Sequence, residues 1–173
     1  MRIILASSYR EVPWKNGGGT TREIADSGEM PPLWRLSLAT IDRDGPFSDF
    51  TGYDRTIIPI SGDGIALAIN GGSSQALAHL QPFFFAGEDT IECRLVGGTT
   101  HDLNVLTRRD RYRHHVEVFR TIRKPMHLAG GIASFAYILE GPRAGDTLVG
   151  EGGAFTVDPA LATAALYVRI EAA

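Results

Sequence analysis

Cysteine is almost absent from this 173-residue chain, with Cys93 as its single thiol. One cysteine excludes an intramolecular disulfide and a cysteine-based zinc site. Its place in the alternation Ile91-Glu92-Cys93-Arg94-Leu95 points to a buried thiol in a reducing compartment. Long apolar runs are missing too, and none reaches the roughly 18 residues of a spanning helix. The apolar stretch within Met1 to Ser8 is too short for a signal-peptide core with a cleavage site. The expectation is a cytoplasmic protein with no membrane partner. Positive charge does not prevail either: 17 Lys and Arg stand against 20 Asp and Glu, a formal net charge of -3. That balance argues against a nucleic-acid partner, while leaving room for a local basic cluster suited to a small anion.

Several catalytic signatures are likewise missing. Neither phosphate-binding glycine motif is present, and no long helical pattern follows the glycine run at Gly17. No Gly-x-Ser-x-Gly elbow marks a serine nucleophile, and Cys93 has an apolar setting rather than an activating one. The five histidines are His79, His101, His114, His115 and His127. No two lie one residue apart, and the adjacent pair would project to opposite sides of a strand. The expectation is therefore no metal and no other cofactor.

What is present is the grammar of an all-β protein. Hydrophobic residues make up 43% and charged residues 21%, enough for one sizeable core, and 20 glycines and 9 prolines recur at short intervals. Between them lie apolar runs of strand length. Strands are expected over Arg2 to Ala6, Thr20 to Ala25, Trp34 to Ile41, Thr56 to Ile60, Ile65 to Ile69, Ala76 to Leu80, Pro82 to Phe85 and Thr90 to Val96. Glycine corners separate the later ones, as in half of a jelly roll. In Trp34 to Ile41, the side chains of Trp34, Leu36 and Leu38 share one face, and those of Arg35, Ser37 and Ala39 the other. Asp102, Asn104, Leu106 and Arg108 share a face in the same way, opposite Leu103 and Val105. The turn at Asp42 to Ser48 has Phe47 and Phe50 to pin it to the core.

A weaker echo of this pattern comes later in the chain. Phe135 to Leu139 parallels Ile57 to Ile60, Gly152 to Phe155 parallels Phe83 to Phe85, and Leu166 to Ile170 parallels Ile91 to Leu95, at an offset of about 70 to 80 residues. Thr107 to Lys124 is a basic run between the two parts, read as a solvated connection.

Chemistry concentrates in Pro13 to Ile24, Pro-Trp-Lys-Asn-Gly-Gly-Gly-Thr-Thr-Arg-Glu-Ile. Three glycines allow a tight turn with exposed N–H groups, beside an ammonium, an amide and two hydroxyls. Such a point suits an anion, although a glycine run also serves as a plain hairpin tip. Elsewhere Arg55 sits beside acidic turns, either as a clamp on Asp54 or Asp44 or as a fork for a carboxylate ligand. Glu23, Asp44 and Asp102 are candidate internal partners for buried cations.

The Pro13 to Ile24 block, Trp34 to Ser37, Asp44 to Ser48, Gly52 to Arg55, Pro82-Phe83 with Ala86-Gly87, and Asp102 to Arg109 occur here in the order found in the HutD/Ves family of the cupin superfamily, which the chain resembles. The resemblance covers about the first two thirds of the chain. It implies an all-β, two-halved cupin, a bicupin of jelly-roll-like barrels with little helix. The halves would be 1–110, with the pocket, and a trimmed 111–173. On the matching positions it implies ligand binding by Lys15, Asn16, Gly17, Gly18, Thr20, Arg35, Ser37, Arg55, Asp102, Asn104 and Arg108. The function implied is accessory or regulatory: sensing a small anionic metabolite of histidine catabolism, formylglutamate or urocanate, with a homodimer possible. The alternatives are a metal-free cupin enzyme acting on a small polar acid or sugar acid, with Lys15, Glu23 or Asp102 as acid or base, and a protein interaction module.

Overall fold

A computed structural model describes residues 1–14, 17 and 19–173. It is built almost entirely of strands. In chain order they are β1 (Arg2–Ile4), β2 (Arg10–Pro13), β3 (Gly19–Asp26), β4 (Trp34–Ile41), β5 (Gly45–Pro46), β6 (Tyr53–Ser61), β7 (Ile65–Ile69), β8 (Gln75–Leu77), β9 (Phe83–Ala86), β10 (Ile91–Leu95) and β11 (Thr100–Arg108). There follow β12 (Tyr112–Phe119), β13 (Met126–Leu128), β14 (Ala133–Glu140), β15 (Thr147–Val149), β16 (Phe155–Val157) and β17 (Ala164–Ala172). A three-residue 3-10 turn at Ala6–Ser8 is the only helical element among the described residues. None is long and apolar enough to cross a membrane as a helix.

The chain forms two compact units, Arg10–Asp110 and Met1–Tyr9 with Arg111–Ala173. In the first, β2-β3-β4-β11-β6-β9 make a six-stranded sheet and β5-β10-β7-β8 a four-stranded one, with antiparallel pairing throughout. Ile41, Ile57, Ile65, Leu67, Leu77, Phe85, Ile91 and Cys93 pack into one apolar cluster. The Cys93 thiol is buried, as its alternation suggests, and burial pushes its pKa up to about 12.

In the second unit, β1-β15-β14-β17-β12 form one sheet and β13-β16 a two-stranded pair. Its interior is filled by Ile122, Leu128, Ala136, Ile138, Leu148, Phe155, Val157, Ala162, Ala165 and Tyr167. The opening strand belongs here rather than with 10–110, because β1 pairs with β15 from Arg2↔Val149 to Ile4↔Thr147.

The two units share one pairing plan. The order β4-β11-β6-β9, with β5 on β10, matches β12-β17-β14-β15, with β13 on β16. This corrects part of the sequence echo: β17 takes the place of β11, and β16 that of β10. The reason is the β7–β8 hairpin, which has no counterpart in the second unit; the offset falls from about 80 residues at β6 and β14 to about 64 at β11 and β17. The basic run also needs correction. Residues 112–119 are not a loose connection but a strand paired along its length with β17, from Tyr112↔Ala172 to Phe119↔Ala165.

Candidate functional site

The six-stranded sheet carries two different faces. Leu36, Leu38, Leu103 and Val105 are buried on one. On the other, the register sets Glu23, Ser37 and Asn104 in one cross-strand row, and Thr21, Ala39 and Asp102 in the next. Directly opposed residues share a face, so the alternation of four strands delivers their polar side chains to one place. That place is a cavity of about 510 Å³, lined by Thr21, Glu23, Arg35, Ser37, Arg55, Asp102 and Asn104, with Trp14 and Ile41, and bordered by the Phe47–Phe50 segment.

Two irregularities in the ladders fall beside its acidic residues. The β3–β4 register shifts between Glu23 and Ala25, and the β11–β6 register shifts between His101 and Asp102. A bulge re-aims the side chains next to it. Pro59, which has no N–H for the ladder, lies opposite Asp102 and past the end of the β6–β9 pairing at Ile57↔Phe83.

Arg55 reaches into the cavity from β6. One terminal nitrogen donates to Asn104 Oδ1 at 3.2 Å and the other to the Ser48 carbonyl at 3.3 Å. Its guanidinium carbon lies 5.6 Å, 5.0 Å and 4.9 Å from the ring centroids of Phe47, Phe50 and Phe85. Such rings stabilise a cation through their quadrupoles without neutralising it. Among the described residues Arg55 has no ion pair with a carboxylate. Burial lowers its pKa to about 10, opposed by Asp102 and reinforced by Arg35. Arg35 is 5.4 Å from the Phe50 centroid and 3.7 Å from Glu23 Oε1, and Glu23 is also held by Arg10.

Asp102 is 1% exposed. Its Oδ2 accepts from Asn104 Nδ2 at 3.1 Å. Burial pushes its pKa up to about 7, against the pull of Arg55 and the Asn104 hydrogen bond. Two buried polar atoms of this wall lack a hydrogen-bond partner among the described residues: Asp102 Oδ1, an acceptor, and Arg35 Nε, a donor. Buried polar groups are rarely left so.

The expected site residues therefore divide. Arg35, Ser37, Arg55, Asp102 and Asn104 converge on the cavity. Thr20 does not: it pairs with Thr40, and alternation brings Thr21 in instead, where its hydroxyl accepts from Trp14 Nε1 at 2.8 Å. Gly17 is exposed, at φ +69°, and does not line the cavity. Arg108 pairs with Asp110 at 3.1 Å and borders a separate recess with Pro31, Pro32 and Tyr53. Lys15, Asn16 and Gly18 lie outside the described residues. The proposed clamp on Asp54 is made by Arg109, which also grips Glu88, and Asp44 accepts from the Leu95 N–H. Phe47 and Phe50 do more than pin a turn, since both sit over Arg55. Their spacing next to an Asp-Gly-Pro turn signals packing, and only the three-dimensional approach of two arginines gives them a polar role.

The family model for HutD matches residues 6–164. The chain belongs to the HutD family. A protein of Pseudomonas putida described as an uncharacterized 21.2 kDa protein in the hutC 3' region is 39% identical over 139 residues, 79% of this chain and 73% of that protein. Protein Ves of Citrobacter koseri is 39% identical over 111 residues, 61% of this chain and 56% of that protein. The structure of HutD from Pseudomonas fluorescens SBW25, in a formate condition, superposes with a TM-score of 0.84 at 28% identity, covering 99% of this chain and 98% of that one. The β-rich, cupin-like fold expected of a HutD/Ves member is the fold observed. Among the described residues, no group of three or more His, Cys, Asp or Glu side chains is placed to hold a metal ion.

Proposed function

We propose that this HutD-family protein is an accessory or regulatory protein that binds a small acid of histidine catabolism, formylglutamate or urocanate, in the cavity of its first unit. The single observation that carries the reading is Arg55, a guanidinium drawn into a cavity wall, within 6 Å of three aromatic ring centroids and, among the described residues, joined to no carboxylate. Withdrawing a cation from water is costly unless an anion compensates it. With Arg35 on the same wall, two guanidiniums face a space of about 510 Å³, of the size that takes a small molecule. Hydrogen-bonding side chains from Ser37 and Asn104 suit the polar remainder of such an acid.

Membership in the HutD family and the hutC-region relative support the pathway, and the formate condition of the Pseudomonas fluorescens HutD structure is compatible with a carboxylate ligand. A second reading, a metal-free enzyme on the same class of acid, is favoured by Asp102, a buried carboxyl whose pKa of about 7 suits proton transfer near neutral pH.

Thermal unfolding against histidine, urocanate, formylglutamate, glutamate and formate tests the proposal. A ligand at ~100 times its Kd adds ~2.7 kcal/mol, a shift of several degrees for a chain of this length. The binding reading expects such a shift with a carboxylic acid of the pathway, and a loss of it in Arg35→Ala. No shift with any acid contradicts it. Incubating the active ligand and looking for product separates binder from enzyme.

A further inference from the structure

The five-stranded sheet of the second unit ends on β12. In the shared pairing plan β12 stands where β4 stands in the first unit, but β4 is covered along its other side by β3, whereas among the described residues β12 is paired with β17 alone. From this open edge we infer that the chain forms a two-fold dimer in which β12 pairs antiparallel with β12 of a second copy, His115 lying at the axis opposite its own counterpart. The inference concerns the second unit and stands whether or not the cavity of the first binds an acid.

Length is the first support. Edge strands are usually kept short, bulged or interrupted by proline, because their unpaired backbone groups template further pairing. The other sheet edges here obey that rule: β2 and β9 have four residues each, β2 ending on Pro13, and β1, β5, β8, β13 and β16 have two or three. β12 does not. It has eight residues and no proline, and its register with β17 runs unbroken from Tyr112 to Phe119. The direction of its backbone groups is fixed as well. The Ala173 N–H donates to the Arg111 carbonyl at 3.0 Å, so Arg111 and, by alternation, Arg113, His115 and Glu117 turn their backbone groups toward β17. Tyr112, Val116 and Val118 therefore turn theirs to the open edge.

Charge selects a second copy as the occupant. The exposed residues of β12 are Arg113, His115 and Glu117. With the axis at His115, Arg113 stands opposite the second copy's Glu117, and symmetry repeats that pair. Such self-complementarity is what a two-fold interface requires. The row then alternates in sign, because Arg113 already faces Glu171 on β17, with Nε 3.8 Å from its carboxylate. At the axis two neutral imidazoles can share one N–H. On the other face the half-buried Tyr112 meets the second copy's Val118, an aromatic and a β-branched side chain. Moving the axis one residue either way would set Arg113 opposite Phe119 or His115 and lose the charge match.

The test is analytical ultracentrifugation of the whole chain at pH 7. Expected is a dimer whose dissociation constant rises about ten- to hundredfold in Arg113→Glu and in Glu117→Arg, since each substitution turns two attractive pairs into repulsive ones. An equimolar mixture of the two variants should associate again, because in the mixed dimer every one of these acids faces an arginine. Should either variant fail to fold, amide hydrogen exchange of the unaltered protein reads the same edge: the Val116 and Val118 amides should be protected in the dimer and open on dilution, while His115 and Glu117 stay protected by β17. A dimer that survives both charge reversals, or a mixture that stays dissociated, overturns the inference. So does a monomeric chain whose Val116 and Val118 amides are open at every concentration, which would leave this edge to a strand of a different protein.

Discussion

Asn104 donates from Nδ2 to Asp102 Oδ2 across 3.1 Å, between alternate residues on one face of β11. The same amide accepts from Arg55 through Oδ1, so its orientation is fixed at both ends. Asn104→Ala removes both bonds and leaves a buried carboxyl oxygen unmatched. The expected cost is about 1–3 kcal/mol in urea unfolding at pH 7. An unchanged midpoint would show that the amide does not hold the carboxyl.

Asp102 gives stability a particular pH dependence. Its carboxyl keeps its proton up to about pH 7 in the folded chain, against an ordinary value of 3.8, because burial disfavours the charge. Between these values unfolding releases a proton, so raising the pH favours the unfolded state. The contribution of Asp102 should therefore become steadily less favourable from about pH 4 to pH 7. Asp102→Asn has no such group, and its unfolding free energy should gain on that of the unaltered protein over this window. Parallel curves in denaturant titrations at a series of pH values would contradict the assignment.

Phe50 serves two arginines, with its ring 5.4 Å from the Arg35 guanidinium carbon and 5.0 Å from that of Arg55. Phe50→Leu keeps an apolar side chain but loses the quadrupole. It should lower stability by about 0.5–2 kcal/mol, and Phe50→Ala by more, in thermal unfolding. Equal behaviour of Phe50→Leu and the unaltered protein would reduce the ring to a space filler.

Gly87 holds the segment that carries Phe50. Its carbonyl accepts from the Phe50 N–H at 2.9 Å, and a Cβ at this position would meet the Phe50 carbonyl oxygen at 2.1 Å. Gly87→Ala should cost about 1–3 kcal/mol as backbone is forced apart. Gly45→Ala is the control, since a Cβ there meets nothing within 4 Å. It should stay within about 0.5 kcal/mol of the unaltered protein.

Much of this architecture is legible from alternation. Trp34–Ile41 and Ile65–Ile69 are observed as read, because each alternates cleanly between glycine- or proline-marked turns. The same two-residue period puts Arg35, Ser37, Asp102 and Asn104 on the faces that meet. Thr20 against Thr21 is a failure of phase. Nothing in Gly-Gly-Gly-Thr-Thr fixes which threonine turns inward until β3 is paired with β4, where a Cβ on Gly19 would stand 2.1 Å from the Thr40 carbonyl oxygen. The strand at 112–119 hides for another reason: its exposed face is Arg113, His115 and Glu117, and charge density resembles a loop when the half-buried Tyr112, His114, Val116 and Val118 between are not counted. Glu23 and the phenylalanine rings join the cavity through long-range approach, which local patterning does not encode.

The most direct measurement is calorimetric titration of formylglutamate and urocanate into the unaltered protein, Arg35→Ala and Arg55→Ala at pH 7. The account predicts saturable binding of one of these acids, one molecule per chain, weakened about ten- to hundredfold by each substitution, since each removes a charged hydrogen-bonding partner of the carboxylate. Binding of equal strength in all three proteins would place the acid outside the cavity and contradict the account.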